Sequence, residues 1–230
     1  MNNKVSVRDA YAIALDGPSG AGKSTVAKLV AKQLNITYLD TGALYRALGL
    51  VCLNNGVDVK DGVAVENCIK DVDVNIAYND GVQTVTADGV DVTSKIRTPE
   101  VSMAASAVSA IPYVRQKLLG LQRGIAEKSS VILDGRDIGT VVLPNAEFKF
   151  FLTASAEVRA KRRFDELTAK GQTVVYEDVY NDVVTRDRND STRAIAPLKR
   201  ALDAAEINSD NMTAQEVAEF ICTAVMGELQ

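Results

Sequence analysis

Gly17-Pro18-Ser19-Gly20-Ala21-Gly22-Lys23-Ser24 is the stretch on which the reading of the fold turns. Before it, Tyr11–Leu15 is a short apolar run ending at Asp16; after it, Val26, Leu29, Val30 and Leu34 recur at helical spacing. A strand, a glycine loop and a helix thus follow one another without a gap. Glycines let successive backbone N–H groups converge on an anion, and the helix N-terminus adds the positive end of its dipole. In that setting the spacing G-x-x-x-x-G-K-[ST] is a triphosphate cradle and not a glycine turn that matches by accident. The expected nucleotide contacts are Gly17, Pro18, Ser19, Gly20, Ala21, Gly22, Lys23, Ser24 and Thr25. Lys23 is placed to bridge the β- and γ-phosphates, and the Ser24 hydroxyl to ligate Mg²⁺ directly.

Outward from this loop the pattern stays α/β. Ile36–Leu39 reads as a second strand and Thr41–Leu53 as a helix closed by Asn54-Asn55-Gly56, an order that builds a mostly parallel sheet. The texture changes near Asp71. Val72–Tyr78 alternates, Asn79-Asp80-Gly81 turns, Val82–Ala87 runs on and Asp88-Gly89 turns again, which predicts a small antiparallel meander inserted at about residues 65–105. Helices are expected from Thr98-Pro99-Glu100, with Pro in the first turn, and over about Pro112–Glu127. Val131–Asp134 and Phe148–Leu152 return to the buried-strand pattern. Ala156–Lys170, stopped by Gly171, and Glu177–Asn189 read as helices, Glu206–Asn208 as a short strand, and Thr213–Glu216 as the capping box of a last helix.

Composition narrows the chemistry. The chain has 230 residues, 47% hydrophobic and 24% charged, enough for one sizeable core. It has no histidine, which excludes His-based triads, His general bases and His-containing zinc sites. A net charge of −4 argues against a broad nucleic-acid surface. Arginines nevertheless crowd into Arg159–Arg163 and Arg186–Arg200, as a compact anionic ligand requires. Runs such as Phe148–Leu152 are too short to cross a bilayer, and Met1–Asp9 lacks a leader's apolar stretch. The expectation is a cytoplasmic monomer that meets neither membrane nor nucleic acid. Cys52, Cys68 and Cys222 lack metal spacing and read as reduced, apolar fillers.

Several charged residues fall at strand ends. Asp134 closes Val131-Ile132-Leu133 and suits either the magnesium shell or a plain turn. Arg136 and Asp137 follow it, putting a cation and an anion at the carboxyl edge of the sheet, where α/β ligands bind. Asp40-Thr41-Gly42-Ala43-Leu44-Tyr45-Arg46 starts at another strand end with Arg46 in the first helical turns. Arg186, Asp190 and Arg193 share one face if their helix persists, as a ligand site or as a solvated charged face.

Taken in order, the glycine loop, Asp40–Arg46, Ile96-Arg97-Thr98-Pro99-Glu100-Val101, Asp134-Gly135-Arg136-Asp137-Ile138-Gly139-Thr140-Val141-Val142 and Arg186–Leu198 resemble the bacterial-type cytidylate kinases, nucleoside monophosphate kinases with a P-loop. The resemblance spans essentially the whole chain apart from its first nine or ten residues. It implies a single P-loop NTPase domain over 1–230, a parallel sheet flanked by helices. The core would cover about 9–40, 128–153 and 200–230. A monophosphate-binding subdomain at about 41–127 would carry the antiparallel β insert, and a helical lid would cover about 154–185. It implies transfer from ATP, the co-substrate, with Mg²⁺, onto CMP and dCMP. Lys23, Arg136, Arg186 and Arg193 would be the catalytic cations. Arg46, Arg136 and Arg186 would meet the acceptor phosphate, Ser106, Arg115 and Asp137 the cytosine, and Asp190 with Arg186 the ribose. Asp40, Thr41, Tyr45 and Arg193 would complete the acceptor site, and Arg193 with Arg159, Arg162 and Arg163 would be the lid cations that close over the transferring group, the last three undistinguished. Asp137 could instead only pair with Arg136 or Arg115. A monophosphate oxygen is already ionised at neutral pH, with a second pKa of about 6, so a histidine-free chain can run this chemistry. The competing readings are a P-loop kinase for another nucleotide or for shikimate, and a GTPase switch or ATP-driven motor. The chain has neither Asn-Lys-x-Asp nor Leu-Ser-Gly-Gly.

Overall fold

The structure, a computed structural model, describes residues 10–79 and 82–228. Met1–Asp9, the expected Asp80-Gly81 turn and Leu229-Gln230 lie outside the described residues. In chain order the elements begin with β1 (Ala12–Asp16), α1 (Lys23–Leu34), β2 (Thr37–Asp40), α2 (Thr41–Asn54) and α3 (Gly62–Ile69). There follow β3 (Val74–Asn79), β4 (Val82–Ala87), β5 (Val90–Asp91), a 3₁₀ turn at Lys95–Arg97, α4 (Pro99–Val108) and α5 (Pro112–Ala126). The chain then forms β6 (Val131–Gly135), a π-type turn (Ile138–Val142), β7 (Phe148–Thr153), α6 (Ala156–Ala169), α7 (Tyr176–Thr192), β8 (Ala205–Asn208) and α8 (Ala214–Glu228).

The main sheet has five parallel strands in the order β2-β6-β1-β7-β8. Ile13, Leu15, Val26, Val30, Ile132, Leu152 and Ile221 fill one face, while Ala14, Leu39, Leu133, Ile138 and Val142 fill the other. With both faces covered, near-continuous apolar strands are what a parallel sheet requires. The register matters for function: Asp16 lies opposite Gly135, and Asp40 opposite Asp134. Three strands therefore deliver a carboxylate to the same edge. Because β1 pairs with β6 on one side and β7 on the other, the glycine loop after β1 emerges at the topological switch point.

A second core lies under α2, where Leu44, Leu48, Val65, Ile69, Val85, Ile96, Val108 and Leu118 bury one another. The expected meander is there as the antiparallel sheet β3-β4-β5. The helix α3 and the π-type turn are additions to the sequence reading. In α3, Asp61 caps the amides of Val63 and Ala64 while Val65 and Ile69 go inward; eight residues give too short a period to stand out. α7 runs on to Thr192, so Arg193 is its cap in extended conformation rather than a further position on the helical face.

Candidate active site

The glycine loop is shaped by steric exclusion. Gly17 has φ 151°, and a Cβ there would sit 2.0 Å from the Leu152 carbonyl oxygen, so no other residue fits. Gly22, at φ 92°, turns the chain into α1. Lys23, the first residue of that helix, is buried and its Nζ donates to the Pro18 carbonyl at 2.6 Å. Burial, then the nearby Arg136 charge, holds the ammonium well below its ordinary range, opposed by Asp134 and Asp16. Beneath the loop, Arg159 donates to Ser19 O at 3.0 Å and Ala154 O at 2.8 Å. It also forks onto both carboxylate oxygens of Asp187 at 2.9 and 2.5 Å.

The strand ends supply the acids. Burial, then the Asp40 charge, raises the Asp134 carboxyl to about 7, against the pull of Lys23, the Tyr38 hydrogen bond and Arg136. Tyr38 donates its hydroxyl to Asp134 Oδ1 at 3.1 Å, and Thr41 donates to the Asp134 carbonyl at 2.7 Å. Asp16 is lifted to about 6 by burial, although it accepts the Ile138 and Gly139 amides at 2.8 and 2.7 Å. That pair of bonds fastens the end of β1 to the loop carrying Arg136 and Asp137. Asp40 caps α2 through the Ala43 amide and receives Arg46 at 2.7 Å and Arg97 at 3.4 Å on Oδ2.

The arginines form the opposite wall. Arg136 Nε donates to Asp190 Oδ2 at 2.8 Å. Burial pushes the Asp190 carboxyl up, but the charge and hydrogen bond of Arg136, with Arg186 and Arg193, outweigh it and leave it below its usual value. Arg186 is pushed down to about 10 by burial and then by Arg136. The Nε atoms of both Arg186 and Arg46 are buried without a protein partner, and a buried N–H of this kind calls for an acceptor. Cations crowded together with spare donors are a receptacle for a polyanion.

Farther along, Asp137 accepts Arg115 on one oxygen and Arg193 on the other, the latter at 3.2 Å. Burial raises the Asp137 carboxyl, and Arg115, Arg193 and Arg136 resist that rise. Arg115 also donates to Ser109 O at 3.3 Å and lies 5.7 Å from the Tyr45 ring centroid. Arg193 reaches Ser109 Oγ at 3.1 Å and Ala196 O at 2.6 Å. Ser106 stands 3.5 Å from Asp190. A cleft of about 710 Å³ joins these groups to the glycine loop. Of the sequence-derived residues, Ser19–Thr25, Asp40, Thr41, Tyr45, Arg46, Asp134, Arg136, Asp137, Arg186, Asp190 and Arg193 line it. Gly17, Pro18, Ser106 and Arg115 are not among the residues that line it.

The cytidylate kinase family model matches residues 13–226, nearly the full length of the chain. The chain belongs to the cytidylate kinase family. A cytidylate kinase of Caldicellulosiruptor bescii is 52% identical over 209 residues, covering 91% of this chain and 92% of that one. One from Bacillus licheniformis is 48% identical over 214 residues, covering 93% and 95%. An uncharacterized protein from Eubacterium ventriosum shares the fold, with a TM-score of 0.50 over 94% of this chain and 98% of its own, at 13% identity.

Within this family member, the structure separates the three arginines that the sequence left equal. Arg159 is buried beneath the loop, Arg162 donates to Ser209 Oγ and O at 3.2 and 2.6 Å, and Arg163 pairs with Glu166 one turn away. Arg162 and Arg163 line the cleft, and Arg159 does not. Three residues of the site escaped the sequence reading: Asp16, Tyr38 and Arg97. Arg97 sat inside a quoted motif, before Thr98, and Asp16 stood immediately before the glycine loop. Tyr38 gave no signal, because its partner Asp134 lies 96 residues along the chain on a strand it meets only through the sheet.

Proposed function

We propose that the chain transfers the γ-phosphoryl group of ATP to CMP and dCMP, giving CDP and dCDP. The observation carrying this reading is the placement, across one cleft from the P-loop, of Arg46 and Arg186 with buried, partnerless Nε atoms. Arg46, Arg136 and Arg186 hold the acceptor phosphate, whose ionised oxygen attacks without a base. Asp190 and Arg186 meet the ribose; Ser106, Arg115 and Asp137 read the base; and Asp40, Thr41 and Tyr45 close the acceptor site. Lys23, with Arg136, Arg186 and Arg193, stabilises charge as it spreads over the transferring group.

Magnesium suits the donor set. The Ser24 hydroxyl and the Asp134 carboxylate are hard oxygen donors, and both residues line the same cleft as the glycine loop. Ser24 would ligate the ion directly and Asp134 would orient its water shell. When bound, the ion neutralises phosphate charge. Burial raises both Asp134 and Asp16, and a cation beside them favours their ionised forms.

The α6–α7 pair is the lid that excludes water from the transferring group, within the single-domain division into core, monophosphate-binding part and lid set out above. The protein works as a cytoplasmic monomer on small molecules, away from membrane and nucleic acid. Among the described residues no helix is long and apolar enough to cross a membrane. The test of the acceptor site is the KM for CMP against that for ATP in Arg46→Ala and Arg136→Ala. Both variants raise the CMP value by at least about tenfold with ATP little changed. Equal damage to both substrates would contradict the assignment.

A further inference from the structure

Gln83 belongs to the inserted sheet, on β4 opposite Tyr78, and the chemistry above makes no use of that sheet. Its half-buried side chain nevertheless reaches out of the insert to the main sheet. Oε1 accepts the Asp40 amide at 2.8 Å, and Nε2 donates to the Asp40 carbonyl at 3.2 Å. A carboxamide offers an acceptor and a donor side by side, so it pairs with one residue's N–H and C=O as a neighbouring strand would. The pairing occurs where it is needed, because β2 is an edge strand of the main sheet.

Asp40 is also the residue that organises the acceptor arginine. Its Oδ1 caps α2 at Ala43, and its Oδ2 holds Arg46 at 2.7 Å. Arg97, at the trailing end of the insert, closes on the same Oδ2 at 3.4 Å. The insert therefore grips Asp40 twice, by the backbone through Gln83 and by the carboxylate through Arg97. We infer that Gln83 is a positioning residue for acceptor binding: it sets the Asp40 backbone, hence the Asp40 carboxylate, hence the Arg46 guanidinium. On this view the antiparallel insert is a working part of the acceptor site. The inference rests on Arg46 meeting the acceptor phosphate.

The test is a double-mutant cycle read in KM. Gln83→Met keeps length and packing but removes both hydrogen bonds. It raises KM for CMP about tenfold, the scale of two neutral hydrogen bonds, and leaves KM for ATP unchanged. Added to Arg46→Ala, it raises KM for CMP no further, because both act through one guanidinium. Gln83→Glu keeps the acceptor and loses the donor, so it moves KM for CMP in the same direction and serves if the Met variant folds poorly. If Arg46→Ala raises KM for CMP but neither Gln83 variant does, the inference is overturned and the acceptor reading stands. A full, independent effect of Gln83→Met in the Arg46→Ala background also overturns it. If Arg46→Ala itself leaves KM for CMP unchanged, the acceptor reading fails and takes this inference with it.

Discussion

Replacing Asp137 by asparagine probes base selection and buried electrostatics together. The carboxylate lies between two guanidiniums, Arg115 on Oδ2 and Arg193 on Oδ1, and is only 5% exposed. Asparagine keeps one oxygen and turns an amino group toward the other cation. The direct loss is one charge-assisted hydrogen bond, about 1.5–3 kcal/mol, within reach of the range of about 3–5 kcal/mol for breaking a buried ion pair. Relief of burying the carboxylate, whose pKa burial already raises, offsets part of this. The net expectation is a loss of about 1–2 kcal/mol, or a Tm lower by about 2–8 °C for a chain of this size. The kinetic effect is larger. Cytosine presents an exocyclic amine that an ionised carboxylate accepts; uracil presents a carbonyl, which leaves both buried groups unpaired. Such a site discriminates by about 10⁴-fold. In Asp137→Asn the new carboxamide can turn its own N–H toward uracil, so the CMP/UMP ratio of kcat/KM collapses toward unity while KM for ATP holds. The assay is kcat/KM for CMP and UMP beside a thermal melt. An unchanged ratio, with both substrates slowed alike and Tm lowered, would show that Asp137 only ties Arg115 to Arg193.

Three further expectations follow from the same geometry. Lys23→Ala lowers kcat by about 10³-fold or more with the fold intact by circular dichroism, and a variant near wild-type kcat removes the P-loop assignment. Asp16→Asn isolates a pH effect. Since burial raises Asp16 from 3.8 to about 6, its contribution to stability is complete below the unfolded value and is lost as pH rises through about 6. Wild type minus variant in unfolding free energy should therefore fall, by on the order of 3 kcal/mol, between about pH 4 and 7; parallel curves would refute it. Hydrogen exchange over residues 160–175 should slow when a bisubstrate analogue binds, while Arg159, already held by Asp187 and Ser19, changes little. Unaltered exchange throughout would remove the lid.

What the sequence made legible has a common physical basis: period and local spacing. The glycine loop, the alternation of buried strands and helices, and the Asp88-Gly89 turn of the meander each write their geometry into a few adjacent residues. The family motifs likewise brought Arg46, Arg136, Asp137, Arg186, Asp190 and Arg193 into one cleft. What stayed hidden depends on partners far along the chain. The role of Asp16 comes from amides 122 and 123 residues away, and Gln83 meets Asp40 only after the insert folds back on β2. Arg193 illustrates a subtler gap. Helical spacing suggested it shares a face with Arg186 and Asp190, but the helix ends at Thr192. Arg193 reaches the site because the chain turns back there, with Ala196 at φ 47° and the Leu198 amide bonded to Asp190 O at 2.7 Å. The string Ile138–Val142 could pass for a strand; it forms a single π-type turn instead, its first two amides held by the Asp16 carboxylate.

The most direct test of the account is the rate of ATP consumption by the purified protein with magnesium, first alone and then with CMP, dCMP, UMP, AMP or GMP in turn. The account predicts negligible turnover without an acceptor and rapid turnover with CMP and dCMP. With UMP, kcat/KM should be lower by about 10³-fold or more. Sustained ATP hydrolysis without any acceptor, or a rate highest with a purine monophosphate, would contradict it.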